Sequence, residues 1–198
     1  ARELGYSYFL QLDDDYSTFS IRYVEGLSFK QAMIQDLDRI FALCLEYYKA
    51  IPALSIALAQ MGDFIGGIEG AFSHSFRRRK CMNSFFCSVE RPFKFVTKLN
   101  DDVSTYVLLG SRGELFLTLS QLALNQAETQ ANSGGLTDIY RASGTYVKSF
   151  YSVMVSPSSV KIGMMGGKEG IEARIHHLVS WPQAVPQIIR EKHRKVGE

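Results

Sequence analysis

A chain of 198 residues, 46% of them hydrophobic, is long enough to bury a sizeable core and reads as a single domain over residues 1–198. No stretch approaches the roughly 20 apolar residues that cross a bilayer, and the amino terminus lacks the basic-then-apolar pattern of a secretory signal, so no membrane partner is expected and the expected compartment is the cytoplasm. The net charge of +2 excludes a uniformly polybasic or polyacidic chain, yet Arg77, Arg78, Arg79 and Lys80 form one basic run, and Arg190, Lys192, Arg194 and Lys195 crowd the end.

Ala1-Arg2-Glu3-Leu4-Gly5 reads as the last turn of a helix stopped by glycine, as in a fragment of a longer polypeptide. Tyr6 to Leu12 reads as a strand leading into Asp13-Asp14-Asp15, and Thr18 to Val24 as a second strand stopped by Gly26. Ser28-Phe29-Lys30-Gln31 fits a capping box. Behind it Ile34, Leu37, Phe41, Cys44, Leu45 and Tyr48 recur at helical spacing, predicting an amphipathic helix from about 29 to 50 whose stripe is core, ended by Pro52. Leu54 to Ala59 is a short apolar strand before a loop at Gly62-Asp63-Phe64-Ile65-Gly66-Gly67. Met82 to Val89 is an aromatic strand, punctuated by Pro92; its Phe85 and Phe86 read as core, with stacking on a base as the alternative. Asn100 or Asp101 caps a short helix, and Glu114 to Leu119 is a strand. Gln126 to Leu136 is polar and Gly-containing, suited to a substrate loop or lid. Leu136 to Val155 is mainly helical, with an interruption near Gly144. Val160 to Met165 and Ala173 to Leu178 alternate as strands around Gly166-Gly167, and Val185 to Lys195 is a basic, solvated terminal helix. Trp181 is expected in the core or against that helix. Strands and helices alternate throughout, which makes the class α/β. Three cysteines without zinc spacing predict free thiols in a reducing compartment.

The chemistry centres on the acids. Three carboxylates at the end of a buried strand repel one another unless a cation compensates. A strand end carrying Asp13 and Asp15 is a natural seat for Mg²⁺ or Mn²⁺, which keep open positions for substrate phosphates. The alternative is a solvated acidic turn. A second acidic group, Asp101 and Asp102, reads either as a general base or as helix capping. His176 and His177 follow Arg174 on an alternating strand, where only one of them faces a given side; a metal ligand and a structural imidazole are both open readings. The run from Arg77 to Lys80 suits DNA phosphates, and a solvated loop is the alternative.

The segments YFLQLDDDY, RRRKCMNSFF, KLNDDVSTYVLLGSRGELFLTL, TQANSGGLTDIY, GTYVKSFYSVMVSPSSVKI and RIHHLVSWPQAVPQII together resemble the TET-associated glycosyltransferase family, over nearly the whole chain. The resemblance implies a GT-A-type mixed sheet flanked by helices. It also implies transfer of a sugar from a nucleotide sugar, with UDP the expected carrier, to hydroxymethylpyrimidine in DNA, a phage DNA modification. Carried over, Asp13 and Asp15 match the metal–diphosphate motif, with Asp14 beside them on the donor side. Asp102, or Asp101, matches the acidic catalytic position, and His176 or His177 the late metal-binding histidine. Gln130, Lys148 and Arg174 are candidate polar groups near donor or acceptor. Against the family pattern, the N-terminal strand–helix units that usually hold the donor base are expected to be missing from this stretch. The chain also has Asn-Asp-Asp where many such enzymes have Glu-Asp. The rival readings are a metal-dependent phosphoryl-transfer enzyme or nuclease, and a catalytically silent nucleic-acid-binding domain.

Overall fold

Alternation sets the first strand: Tyr8, Leu10 and Leu12 are half-buried, and Phe9 and Gln11 exposed, along β1 (Tyr8–Leu12). The computed structural model describes residues 1–26, 28–60, 81–126, 136, 138–139, 142, 146–165, 174–184 and 188–194. They fall into two compact units, the first drawn from 1–93, 114–127 and 188–198 and the second from 94–113 and 128–187.

The first unit carries β2 (Tyr16–Glu25), β3 (Ser28–Met33), α1 (Leu37–Ala50), β4 (Ser55–Gln60), β5 (Ser84–Ser88) and β6 (Phe116–Gln126). The strands form one mixed sheet in the order β1-β5-β4-β6-β2-β3, in which β4 and β6 run parallel and the other pairs antiparallel. That order forces a curl. Laid flat, β1 and β2 would lie about 19 Å apart across four strand spacings. The chain from Leu12 to Tyr16 reaches about 14 Å at most. The sheet therefore bends until the end of β1 meets the start of β2.

Three elements depart from the sequence reading, and one is β6, which runs on to Gln126 instead of stopping at Leu119. Residues 28–33 are strand, so Ser28–Gln31 is no capping box: β3 pairs with β2 from Glu25↔Ser28 to Ser20↔Met33. Gly26 turns the chain at φ +61, in a two-residue Gly-X connection of the kind that favours hairpins. The helix starts later, capped by Asp36, whose carboxylate accepts the Arg39 N–H at 3.0 Å. Its stripe is as expected, with Leu37, Phe41, Cys44, Leu45 and Tyr48 packed with Phe19, Ile56, Leu58, Phe86 and Leu124. Ile51, before Pro52, is extended, which ends α1 there. Arg91 holds that end by donating to the carbonyls of Tyr48, Ile51 and Ala53 at 3.1, 2.8 and 2.6 Å. Phe86 meets Phe41 edge-on and Phe85 is 2% exposed, so neither is available to a base. Cys44, Cys81 and Cys87 are buried; burial pushes the Cys44 thiol up to about 11 and that of Cys87 up to about 12. At the start of the chain, Gly5 at φ +78 donates to Arg2 O and Tyr6 to Ala1 O, the bond pattern on which helices end.

The third correction is the terminal helix. Of the described residues there, only Glu191–His193 form a helical turn, and that turn is 3-10. A buried carboxylate decides this. Glu114 takes Arg190 at 3.0 Å, Lys192 at 2.7 Å and the His193 Nε2 at 2.8 Å, while His193 Nδ1 bonds the Pro52 carbonyl. Arg190 and Lys192 are thus not merely solvated. Burial pushes the Glu114 carboxyl up, but hydrogen bonds from Lys192 and His193 and the neighbouring Lys192 and Arg190 charges hold it below its ordinary value. A depressed carboxylate stabilises the fold above its unfolded pKa, and this contribution is lost as pH falls through the folded pKa. Glu114→Gln is expected to cost about 1–3 kcal/mol at pH 7. The difference from the parent should shrink as pH falls below the ordinary glutamate value of about 4.3. Urea unfolding across pH reads both effects.

The second unit carries α2 (Asp101–Ser111), α3 (Tyr146–Val155), the antiparallel pair β7 (Val160–Met165) and β8 (Arg174–Val179), and the short α4 (Trp181–Ala184). α2 and α3 meet through small polar residues: Ser104 and Ser152 lie 3.2 Å apart, and both are buried together with Ser149. Gly110 lets α4 approach, since a Cβ there would sit 2.6 Å from the Ala184 carbonyl oxygen. Trp181 packs its ring on Tyr106 at 5.9 Å, half-buried rather than fully in a core. The observed class is mixed α/β: a curled six-stranded sheet, a two-stranded sheet and four helices among the described residues.

Candidate active site

Strand direction gathers five ends on one rim of the curled sheet. The carboxyl ends of β1, β4 and β6 lie there with the amino ends of β2 and β5, as the pairs Leu12↔Ser84, Gln60↔Leu124 and Tyr16↔Gln126 require. Ligands of open α/β sheets sit outside the carboxyl ends of parallel strands. The parallel pair β4 and β6 ends on this rim, and Asp13, Asp14 and Asp15 form the turn that crosses it between β1 and β2.

The turn is braced from two sides. The Gln126 side-chain amide donates to Asp15 Oδ1 at 2.7 Å and makes a long contact of 3.5 Å with Asp13 Oδ2. Asn83, just before β5, donates its own amide to Gln126 Oε1, and its backbone carbonyl accepts the Asp13 N–H at 3.2 Å. Asn83 holds this position in the left-handed region at φ 58, which asparagine tolerates. Asp13 and Asp15 therefore converge on one amide; Asp13 and Asp14 are exposed and Asp15 is half-buried. Two carboxylates form a hard oxygen donor set that suits Mg²⁺ or Mn²⁺ with substrate oxygens completing the shell. Neither Asn83 nor Gln126 stood out in the sequence. A β6 extended to Gln126 would have shown the second, and an asparagine before a strand hints at the first.

The remaining candidates belong to the second unit. Asp101 and Asp102 occupy the first turn of α2, half-buried, where the helix dipole favours negative charge. Asn100 is the cap residue by position, but its side chain does not cap: it sits in the left-handed region at φ 52 and donates to Ser152 Oγ on α3. Asp102 Oδ1 accepts the Val103 N–H at 2.7 Å. Lys148 is half-buried on α3. His176 and His177 are both half-buried on β8, with ring centroids 4.2 Å apart, so neither is simply a core or a surface residue. Among the described residues, no three His, Cys, Asp or Glu side chains cluster within either unit closely enough to hold a metal. Arg77, Arg78, Arg79, Lys80, Gln130 and the loop from Gly62 to Gly67 lie outside the described residues, as does the Arg174 side chain. The stretch that carries the basic run follows Gln60, the end of β4 at the rim, and leads to Cys81, whose thiol contacts the Leu117 carbonyl on β6. Gln126, which precedes Gln130, ends at the same rim.

The TET-Associated Glycosyltransferase family model matches residues 1–135. The chain belongs to that family and is therefore a transferase with a sugar donor and an acceptor. No curated protein and no solved structure matches it. The match takes in β1 through β6, the acidic turn, the basic run, α2 and Gln130. The resemblance of the segments from Gly144 onwards, including Lys148, His176 and His177, lies beyond the matched range. No helix among the described residues is long and apolar enough to cross a membrane.

Proposed function

We propose that this chain is a GT-A-type, metal-dependent enzyme that moves a sugar from a UDP-sugar to the hydroxymethyl oxygen of a pyrimidine in DNA. The observation that carries the reading is the pair Asp13 and Asp15, converging on one amide at the carboxyl rim of a family-matched sheet. These two carboxylates would hold Mn²⁺ or Mg²⁺, which when bound would supply the positive charge that neutralises a leaving diphosphate. The bond between the anomeric carbon and the phosphate oxygen breaks, and one from that carbon to the hydroxymethyl oxygen forms. The proton of that oxygen passes to Asp102, with Asp101 the alternative base. His176 or His177 is the further metal ligand in this reading, and Lys148 and Gln130 are donor contacts.

Arg77, Arg78, Arg79 and Lys80 take the DNA phosphates, which supply affinity and register without sequence information. Neutralising the three arginines is expected to weaken DNA binding and flatten its salt dependence, the log–log slope shrinking by roughly 0.9 for each phosphate that is no longer neutralised. Slow donor hydrolysis should persist, because the diphosphate site is separate. An unmoved salt slope would make the run a solvated loop. The function itself is tested by incubating a panel of UDP-sugars and Mn²⁺ with DNA carrying hydroxymethylcytosine or hydroxymethyluracil, then weighing the nucleosides. A sugar-sized mass increment on the modified base supports the reading. Cut DNA without that increment points to a phosphoryl-transfer enzyme, and salt-dependent DNA binding without donor turnover points to a silent binding domain.

A further inference from the structure

We infer that Gln126 and Asn83 are positioning residues that aim Asp13 and Asp15 at the cation. This rests on the reading of the acidic turn given above and extends it to the machinery behind the turn. A side-chain amide has one accepting end and one donating end. Asn83 occupies the accepting end of Gln126, so the donating end faces the carboxylates, at 2.7 Å from Asp15 and 3.5 Å from Asp13. Turning the amide over would set its oxygen against two carboxylates and forfeit the Asn83 donor. The direction is therefore set by three groups together.

The mounting is tied to the sheet at both ends. Gln126 is the last residue of β6 and pairs with Tyr16, the first residue of β2. Asn83 precedes β5 directly and holds the turn by a second bond, from Asp13 N–H to its own carbonyl. The choice of amide is chemically pointed. A lysine or arginine in place of Gln126 would orient the carboxylates equally well but neutralise them. A neutral donor fixes their rotamers and leaves the negative charge for a cation. Groups that orient metal ligands from behind typically affect metal affinity by about 10–100-fold.

The test is Mn²⁺ binding to the full chain without donor or DNA, followed by the electron paramagnetic resonance signal of the free ion. Gln126→Ala is expected to weaken Mn²⁺ binding about tenfold or more, with metal-free thermal unfolding nearly unchanged. Asn83→Gly keeps the left-handed backbone available and should weaken binding by less. The double variant should be no weaker than Gln126→Ala alone, because Asn83 acts through Gln126. Gln126→Lys separates positioning from packing: Mn²⁺ binding should be lost while metal-free stability is kept or raised. Gln126→Ala and Gln126→Lys binding Mn²⁺ as the parent does would overturn the inference alone. A parent chain that binds no Mn²⁺ would overturn the metal reading and the inference with it.

Discussion

Asp15→Asn is expected to abolish Mn²⁺-dependent sugar transfer while the sheet stays folded. The substitution preserves shape and leaves an amide oxygen where Asp15 Oδ1 accepts from Gln126 at 2.7 Å. In the proposed mechanism it removes the charge that would face the cation. Loss of a group that stabilises developing charge in a preorganised site costs about 100- to 1,000-fold in turnover, and in the proposed mechanism the diphosphate leaving group would carry that charge. The fold should not suffer, because the first-unit core of Phe19, Tyr48, Ile56, Phe86 and Leu124 does not include Asp15. The check is turnover at saturating Mn²⁺ beside a thermal melt without metal. Turnover equal to that of the parent, in a folded variant, removes Asp15 from the site.

Asp102→Asn is expected to cut transfer by about 100- to 10,000-fold, the usual worth of a positioned general base, with donor and Mn²⁺ binding nearly intact. Asp101→Asn should be milder: as a first-turn helix acid, Asp101 contributes about 1 kcal/mol or less through the dipole. Asn100 makes no side-chain cap bond, but Asp102 Oδ1 accepts the Val103 N–H at 2.7 Å, so Asp102 also satisfies a first-turn N–H of α2. Donor affinity and transfer rate, measured together on both variants, decide the assignment. A loss of donor binding in Asp102→Asn moves that residue to the metal site, and a loss of transfer in Asp101→Asn reverses the two roles.

What is legible in the sequence is local. The alternation of Tyr8 to Leu12, the apolar run from Leu54 to Ala59 and the pair of strands around Gly166-Gly167 locate β1, β4, β7 and β8 within a residue or two. The stripe of α1 is legible from its spacing, but its start is not. A Ser-x-x-Gln pattern is satisfied by any short polar stretch, whereas the Gly-X hairpin at Gly26 joins two strands along six paired positions. The terminal segment departs for a different reason. Its conformation is decided by Glu114, which lies 79 positions from His193 in sequence and collects Arg190, Lys192 and His193. The acidic turn is visible as a motif, but its bracing is not, because Gln126 reaches Asp15 across 111 positions and Asn83 across 43. Both compact units are discontinuous in the chain, so no linker composition marks them.

The central claim is that sugar leaves a nucleotide donor and arrives on DNA through the acidic turn. The most direct measurement is the ratio of UDP released to sugar joined to intact hydroxymethylated DNA, with Mn²⁺ and again with a chelator. The account predicts a one-to-one ratio with Mn²⁺, full-length DNA, and neither product once the metal is removed. Cleaved DNA without transferred sugar, or transfer that continues unchanged in the chelator, would contradict it.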